Sequence, residues 1–340
     1  MNNRSPYIVN APSVSTIMFK VLLALIPGIA LYVYAYGFGV LVNIFLASLT
    51  VLLTESTILS IRKLPIKPFI FDGSGLVTAW LLALSIPSIA PWWIIVLGTL
   101  LCIIFGKHLY GGLGYNLFNP AMVGYAILLI SFPAFMTHWQ APIFLIDGHF
   151  AWIDQIKIIF NSQLISKETV DAISSATPLD YIKTQLTLDQ PLSRIKQDKI
   201  FGFFGGQSLE MINFGYLVGG LYLLKEKIVS WHLPVAFLLT LFLIGLIFNI
   251  YQPDTFASPL FQIMSGGSIL CAFFIITDPV SAPTTPKGKI YFGIAIALLV
   301  FIIRIFGGYP EGIAFAVLFM NICVPLIDSL TQPRVFGHKQ

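Results

Sequence analysis

The sequence predicts an all-α integral membrane protein with about ten transmembrane helices in two inverted five-helix repeats, and three observations carry that expectation. Of 340 residues, 57% are apolar and 10% charged, with a mean hydropathy of +0.86, where globular chains average about 45–50% and 25%. Apolar runs of spanning length recur along the whole chain. Basic residues collect on one side when these runs are made to alternate. A water-facing shell needs more charge than 19 basic and 15 acidic side chains supply, so lipid is the solvent for most of the chain. Cytosolic enzymes, secreted modules and nucleic-acid binders are thereby excluded, and the net charge of +4 is a topological signal.

At roughly 17–25 apolar residues per crossing, the runs are 18–36, 38–60, 73–87, 92–106 and 120–135, then 212–224, 233–250, 266–279, 291–306 and 312–327. No short apolar core with a small-residue cleavage site precedes the first run, which is therefore expected to be a retained span. With both termini on one side, that side receives 12 Lys and Arg residues, among them Arg62, Lys63, Lys107, Lys225 and Lys287. The short loops opposite hold none, Arg304 lies near a helix end there, and the rest sit between the fifth and sixth runs. Basic short loops mark the cytoplasm, so both termini are expected to be cytoplasmic. The chain then divides into an N-terminal five-helix repeat (1–137), an extracytoplasmic segment (138–211) and a C-terminal five-helix repeat (212–340).

Gly75, Pro87 and Pro91 align without a gap on Gly267, Pro279 and Pro283, and Lys107 with Gly111-Gly112 is echoed by Arg304 with Gly307-Gly308. Five spans separate the copies, so they run in opposite senses. Sites in such proteins lie between the halves, and short, Gly/Pro-interrupted spans point to them. Runs 73–87 and 266–279 fit that description.

Charges within spans are costly and mark function by default. Glu55 is an ion-pathway candidate whose alternative is a carboxylate reaching the interface beside Arg62-Lys63. Asp278, between Thr277 and Pro279, sits where a broken stretch frees backbone carbonyls, a setting that suits a hard cation. Arg304 is expected to pair with Glu311. Cys102, Cys271 and Cys323 stand alone and the five histidines show no ligand spacing, so no metal site is expected. Hydrolase, ATPase and dinucleotide motifs are absent from the sequence, and no catalytic residue is assigned.

Between the fifth and sixth runs stands Asp171-Ala172-Ile173-Ser174-Ser175-Ala176-Thr177-Pro178-Leu179-Asp180. Taken alone, it is a turn with Pro178 fixing the chain and Thr177 offering a hydroxyl. It also resembles the flavin-attachment motif Asp-x-x-Ser/Thr-x-Ala-Thr of the RnfD/NqrB family, which contains the D subunit of the Rnf (also Rsx) ion-translocating oxidoreductase complex and the B subunit of the sodium-pumping NADH:quinone reductase. Leu84-Ser85-Ile86-Pro87, Lys107-His108-Leu109-Tyr110-Gly111-Gly112, Phe118-Asn119-Pro120-Ala121-Met122, Thr277-Asp278-Pro279-Val280 and Phe306-Gly307-Gly308-Tyr309-Pro310 are similar to that family too. Only a short stretch precedes the first run, which favours the Rnf branch.

The resemblance implies FMN joined through its phosphate to Thr177 by a periplasmic flavin transferase, with Asp171, Ser174 and Ala176 completing the motif. It also allows a second, non-covalent flavin. It implies a subunit, inactive alone, of an ion-translocating oxidoreductase in the bacterial inner membrane. Electrons would pass among FMN and the carriers of partner subunits A, B, C, E and G, driving Na⁺ or H⁺ across the bilayer. Tyr181 and Lys183 are candidate contacts of the flavin ring or phosphate. The alternatives are a passive channel or secondary transporter, which needs no flavin, and the B subunit of the quinone reductase.

Overall fold

Apolar runs fold as helices in lipid because nothing there replaces a backbone hydrogen-bond partner. The computed structural model describes residues 13–146, 152–161, 173–309 and 311–333. The first half holds α1 (Val14–Tyr36), α2 (Gly39–Ile61), α3 (Ser74–Ser85), α4 (Trp92–Gly106) and α5 (Pro120–Ser131). The intervening segment holds β1 (Trp139–Gln140), α6 (Trp152–Phe160), β2 (Ser174–Ser175) and α7 (Pro178–Thr187). The second half holds α8 (Gln207–Lys225), α9 (His232–Tyr251), α10 (Pro259–Met264), α11 (Pro286–Phe306) and α12 (Ile313–Thr331).

Among the described residues, six helices are long and apolar enough to cross a membrane: α1, α2, α4 with the 3-10 turn that extends it to Tyr110, α9, α11 and α12. The other expected spans take different forms. Run 73–87 is the 12-residue α3, about 18 Å against a hydrocarbon core of about 30 Å. It stops because Ile86, which precedes Pro87, is forced to extended geometry at φ −102°, ψ 156°. Run 120–135 breaks at Phe132, ahead of Pro133. Run 266–279 is broken too: α10 ends at Ser265, and Ser268–Leu270 passes into a π-helical turn over Cys271–Ile275. Helix α8 is 19 residues long but less apolar.

Within the first half α2 packs on α3 and α4, and α4 on α5; within the second, α9 packs on α10 and α11, and α11 on α12. Two junctions join the halves, α1 along α8 and α5 against α12. The first is a contact of glycines. A Cβ at Gly215 would lie 2.8 Å from the Gly28 backbone, and one at Gly219 would collide with the Ala24 carbonyl oxygen. Gly215 and Gly219 thus form a G-x-x-x-G pair that lets two backbones touch.

Segment 138–211 is clamped to one end of the bundle through two glutamines with almost no exposure, Gln140 and Gln155. Gln155 Nε2 donates to the Tyr36 carbonyl at 2.6 Å, and its Oε1 accepts from the Gly39 amide at 2.9 Å. Gln140 Nε2 donates to the same carbonyl at 2.8 Å, and its Oε1 accepts from Ser88 Oγ at 3.3 Å. The Leu192 amide reaches Asp254 O at 3.0 Å, and Lys183 binds carbonyls in the last turn of α11 and just after it. The connections following α1, α3, α9 and α11 therefore meet this segment at one face. The two glutamines satisfy the Tyr36 carbonyl and the Gly39 amide, which the ends of α1 and α2 leave open.

Candidate functional site

The motif is held by secondary structure on both sides. Strand β2 pairs antiparallel with β1, Trp139 opposite Ser175 and Gln140 opposite Ser174. Two residues later Thr177 becomes the N-cap of α7, at φ −66° and ψ 155°, its Oγ1 accepting from the Asp180 amide at 3.3 Å. Pro178 follows at the first helical position, where its missing N–H costs nothing. The expected turn is thus a strand-to-helix corner with a half-exposed hydroxyl at its tip.

The corner rests on Gly206, where a Cβ would run into Pro178. Gly206→Ala is expected to push Pro178 outward, displacing Thr177 while leaving the membrane helices intact. With a flavin tethered at Thr177, this lowers in-gel flavin fluorescence per mole of protein at unchanged membrane yield.

Thr177 opens onto a cleft that, counted out to open solvent, measures about 1460 Å³. The cleft runs between the halves: Tyr32 and Tyr36 of α1 and Met122 and Tyr125 of α5 face Tyr216 of α8 and Ala314 of α12. Its inner wall reaches Ile275 at the end of the broken segment. Most of the lining is apolar or aromatic, with a few polar groups from Gln140, Asn213 and Glu311. The Tyr216 hydroxyl is buried and lacks a hydrogen-bond partner, a costly state that a bound polar group relieves.

These features fit a flavin. Aromatic walls match a planar heteroaromatic ring, Tyr216 offers an unused donor, and a phosphate on Thr177 would sit at the start of α7, where the helix dipole favours an anion. Ser175 and Ala176 line the cleft with Thr177, Ser174 is in β2, and Asp171 lies outside the described residues.

Two expectations fail. Tyr181 Oη donates to Asp198 Oδ2 at 2.8 Å, a bond that holds its phenol above the usual range. Lys183 Nζ donates to the carbonyls of Arg304 (3.3 Å), Gly307 and Tyr309 (3.2 Å), and burial there lowers its pKa. Both side chains are spent on protein groups, and neither lines the cleft.

The two ion-path carboxylates lie elsewhere. Glu55, 2% exposed, does not reach the interface beside Arg62: its Oε1 accepts from Lys107 Nζ at 2.6 Å, and that ammonium also donates to Ser74 Oγ at 2.8 Å. Asp278 Oδ2 accepts from Ser281 Oγ at 2.6 Å and caps a turn. Two carbonyls freed by the π turn are taken as well, Phe273 O by Thr277 Oγ1 at 2.7 Å and Ile275 O by Asn119 Nδ2 at 3.1 Å. The expected Arg304–Glu311 pair is present at 2.9 Å. Sequence reasoning missed Gln140, Gln155 and the tyrosine walls; the Tyr32/Tyr36 spacing of four in α1 was the one available signal for the latter.

Fold and site together define a multi-pass helical membrane protein with a cleft between two helical halves and a helix-capping hydroxyl at its mouth. The chain belongs to the NQR2, RnfD, RnfE family, whose profile matches residues 1–337. Proteins named as the D subunit of the ion-translocating oxidoreductase complex are similar along almost all of it. The Aliivibrio salmonicida protein is 46% identical over 99% of this chain and 98% of its own length. The Yersinia pseudotuberculosis protein is 50% identical over 98% and 97%, and the Escherichia coli K12 protein 46% identical over 99% and 98%.

Proposed function

We propose that this chain is the flavin-carrying membrane subunit of a redox-driven ion pump, an ion-translocating oxidoreductase complex that also contains subunits A, B, C, E and G. FMN is attached to Thr177 through a phosphoester by a periplasmic flavin transferase, and electron transfer drives Na⁺ or H⁺ across the bacterial inner membrane. The observation that carries this reading is the placement of Thr177: the hydroxyl of the family motif stands at the mouth of an aromatic cleft between the two halves. The family resemblance also allows a second, non-covalent flavin.

Ten spans in two inverted repeats, 1–137 and 212–340, are supported by the equal internal pairing of the halves and by their junctions, which join first helix to first and last to last. A periplasmic 138–211 segment and cytoplasmic termini are supported by the loops that meet this segment, all poor in basic residues. At the opposite end Lys20 pairs with Glu226, and Arg62 donates to the His108 carbonyl at 3.4 Å.

The flavin supplies one-electron chemistry that no side chain of this sequence performs. The chain's own work is placement. Strand β2 and the Thr177 cap fix where the cofactor is tethered, the tyrosine walls exclude water from the cleft, and Gln140 and Gln155 keep the segment seated. Asp278 and Glu55 remain the candidates for the ion path, and both lie off the cleft.

Thr177 both caps α7 and accepts the flavin, so the test must separate these roles. Thr177→Ala loses a cap worth about 1 kcal/mol, whereas Thr177→Asn keeps an acceptor for the Asp180 amide and lacks the hydroxyl. Co-expressed with a flavin transferase, wild type is expected to give a fluorescent denatured band carrying the mass of FMN less one water, and both variants none. An adduct persisting in Thr177→Asn, or missing from wild type despite active transferase, refutes the reading.

A further inference from the structure

Among the described residues, Glu311 is the one acidic side chain on the cleft wall besides Asp180 of the motif itself, and its partners lie in the membrane domain. Arg304, buried, donates to it through Nε (3.1 Å) and Nη2 (2.9 and 3.0 Å). The same guanidinium donates to the Gln262 carbonyl at 2.7 Å and to Ser268 Oγ at 2.8 Å. The Gly267 amide donates to Glu311 Oε2 at 3.1 Å. Gln262 lies in the last turn of α10 before the break in segment 259–275, and Ser268 begins the helix beyond it. The Arg304–Glu311 pair therefore bridges the break.

This pair is also tied to the flavin-bearing helix. Leu179, two residues after Thr177, crowds Gly266 together with Glu311: a Cβ there would lie 2.9 Å from Leu179 Cδ1 and collide with the carboxylate. Gly266 accordingly adopts φ +61°, a conformation that glycine tolerates. One turn further along the same face of α7, Lys183 holds the carbonyls of Arg304, Gly307 and Tyr309, the stretch leading into Glu311. A tether thus runs from Thr177 through α7 and Lys183 to the Glu311 loop, and through Arg304 to both ends of the broken span.

We propose that Glu311 is the positioning residue through which charge on the Thr177-linked flavin acts on the broken segment 259–275. The inference rests on the flavin reading of Thr177. An electron added at the cleft raises the energy of a carboxylate on the same wall, and the low dielectric there screens the repulsion far less than water does. Relief comes from loosening the hold of Glu311 on Gly267 and of Arg304 on Gln262 and Ser268. Coupling of this kind is reciprocal: if the flavin's charge biases the pair, the pair's charge biases the flavin's reduction potential. A purely structural ion pair would support folding and leave that potential unmoved.

The experiment is a redox titration of the covalent flavin in the intact complex, with dithionite as reductant and mediators, for wild type, Glu311→Gln and Lys183→Met. In-gel fluorescence confirms the adduct in each sample. Glu311→Gln keeps an acceptor for the Gly267 amide and removes the negative charge, so its potential is expected to move positive. Lys183→Met, on the segment outside the bundle, removes a positive charge from the same tether and is expected to move the potential negative. Opposite displacements establish the coupling. An unchanged potential in either adduct-bearing variant, or displacements of the same sign, overturns it while the flavin reading stands. If Glu311→Gln does not accumulate, Lys183→Met decides alone: a negative displacement supports the coupling, and an unchanged or positive one overturns it. Absence of adduct from wild type removes both readings together.

Discussion

Lys107→Met is expected to destabilise the membrane domain by about 3–5 kcal/mol, the range for removing one partner of a buried ion pair. Glu55 and Lys107 are 2% and 4% exposed, and their contact at 2.6 Å is the carboxylate's closest cationic contact among the described residues. Ser74 does not replace it, since its Oγ already donates to Asp72 Oδ1 at 2.6 Å. The pair also locks the start of α3: a Cβ at Gly75 would lie 2.9 Å from Glu55 Oε1, so the carboxylate is pressed against the first turn of the short helix. Losing the lysine leaves a charge beside lipid-embedded helices. The double variant Glu55→Gln/Lys107→Met removes both charges and is expected to recover most of the loss. Thermal unfolding of the detergent-purified protein, followed by tryptophan fluorescence, checks both; a double variant no more stable than Lys107→Met would show that the damage is to packing and not to charge balance.

Gly219→Val has the other large effect. At this position the obstruction is the Ala24 carbonyl oxygen, with its carbon 2.8 Å from the added Cβ, and backbone does not yield as a side chain does. Overpacking a core costs about 1–3 kcal/mol when side chains rearrange; here α1 must leave α8, so the cost exceeds that range. The two halves then separate at the junction that floors the cleft, because Tyr216 stacks on Gly28 one turn away. Expected results are loss of the monodisperse peak on size exclusion in detergent and of the flavin adduct with it. Gly308→Ala, where an added Cβ meets nothing within 4 Å, is the matched control and is expected to behave as wild type.

Much of this architecture was open to inspection in the linear chain. Composition alone named the solvent, because each apolar residue contributes to that total regardless of its neighbours. The Lys and Arg distribution ordered the loops, and the loops so grouped do meet at common ends of the bundle. The Thr177 motif was visible because it is contiguous; local chemistry gave a turn fixed by Pro178, and the cap on α7 emerged only in the fold. The Arg304–Glu311 pair was visible for a related reason: seven residues across a tight helix-to-helix turn leave few other partners.

The missed features share a cause. Runs 73–87 and 266–279, marked by glycine and proline as short and interrupted, fold so, but the break of run 120–135 at Phe132 went unseen, because an apolar run is equally at ease against lipid or against other helices. Lys183 was placed on the flavin from its proximity in sequence, whereas it reaches carbonyls more than 120 positions away. Glu55, an ion-pathway candidate whose alternative partner region was Arg62-Lys63, meets Lys107, 52 positions on. The residue string therefore specified the solvent, the helical class, the turn at Thr177 and the family to which the chain belongs. Only folding in three dimensions decided which charges neutralise one another and where the cleft opens, because a partner in a low-dielectric interior is chosen by the close approach of distant backbones, and here glycines at Gly28, Gly215 and Gly219 set that approach.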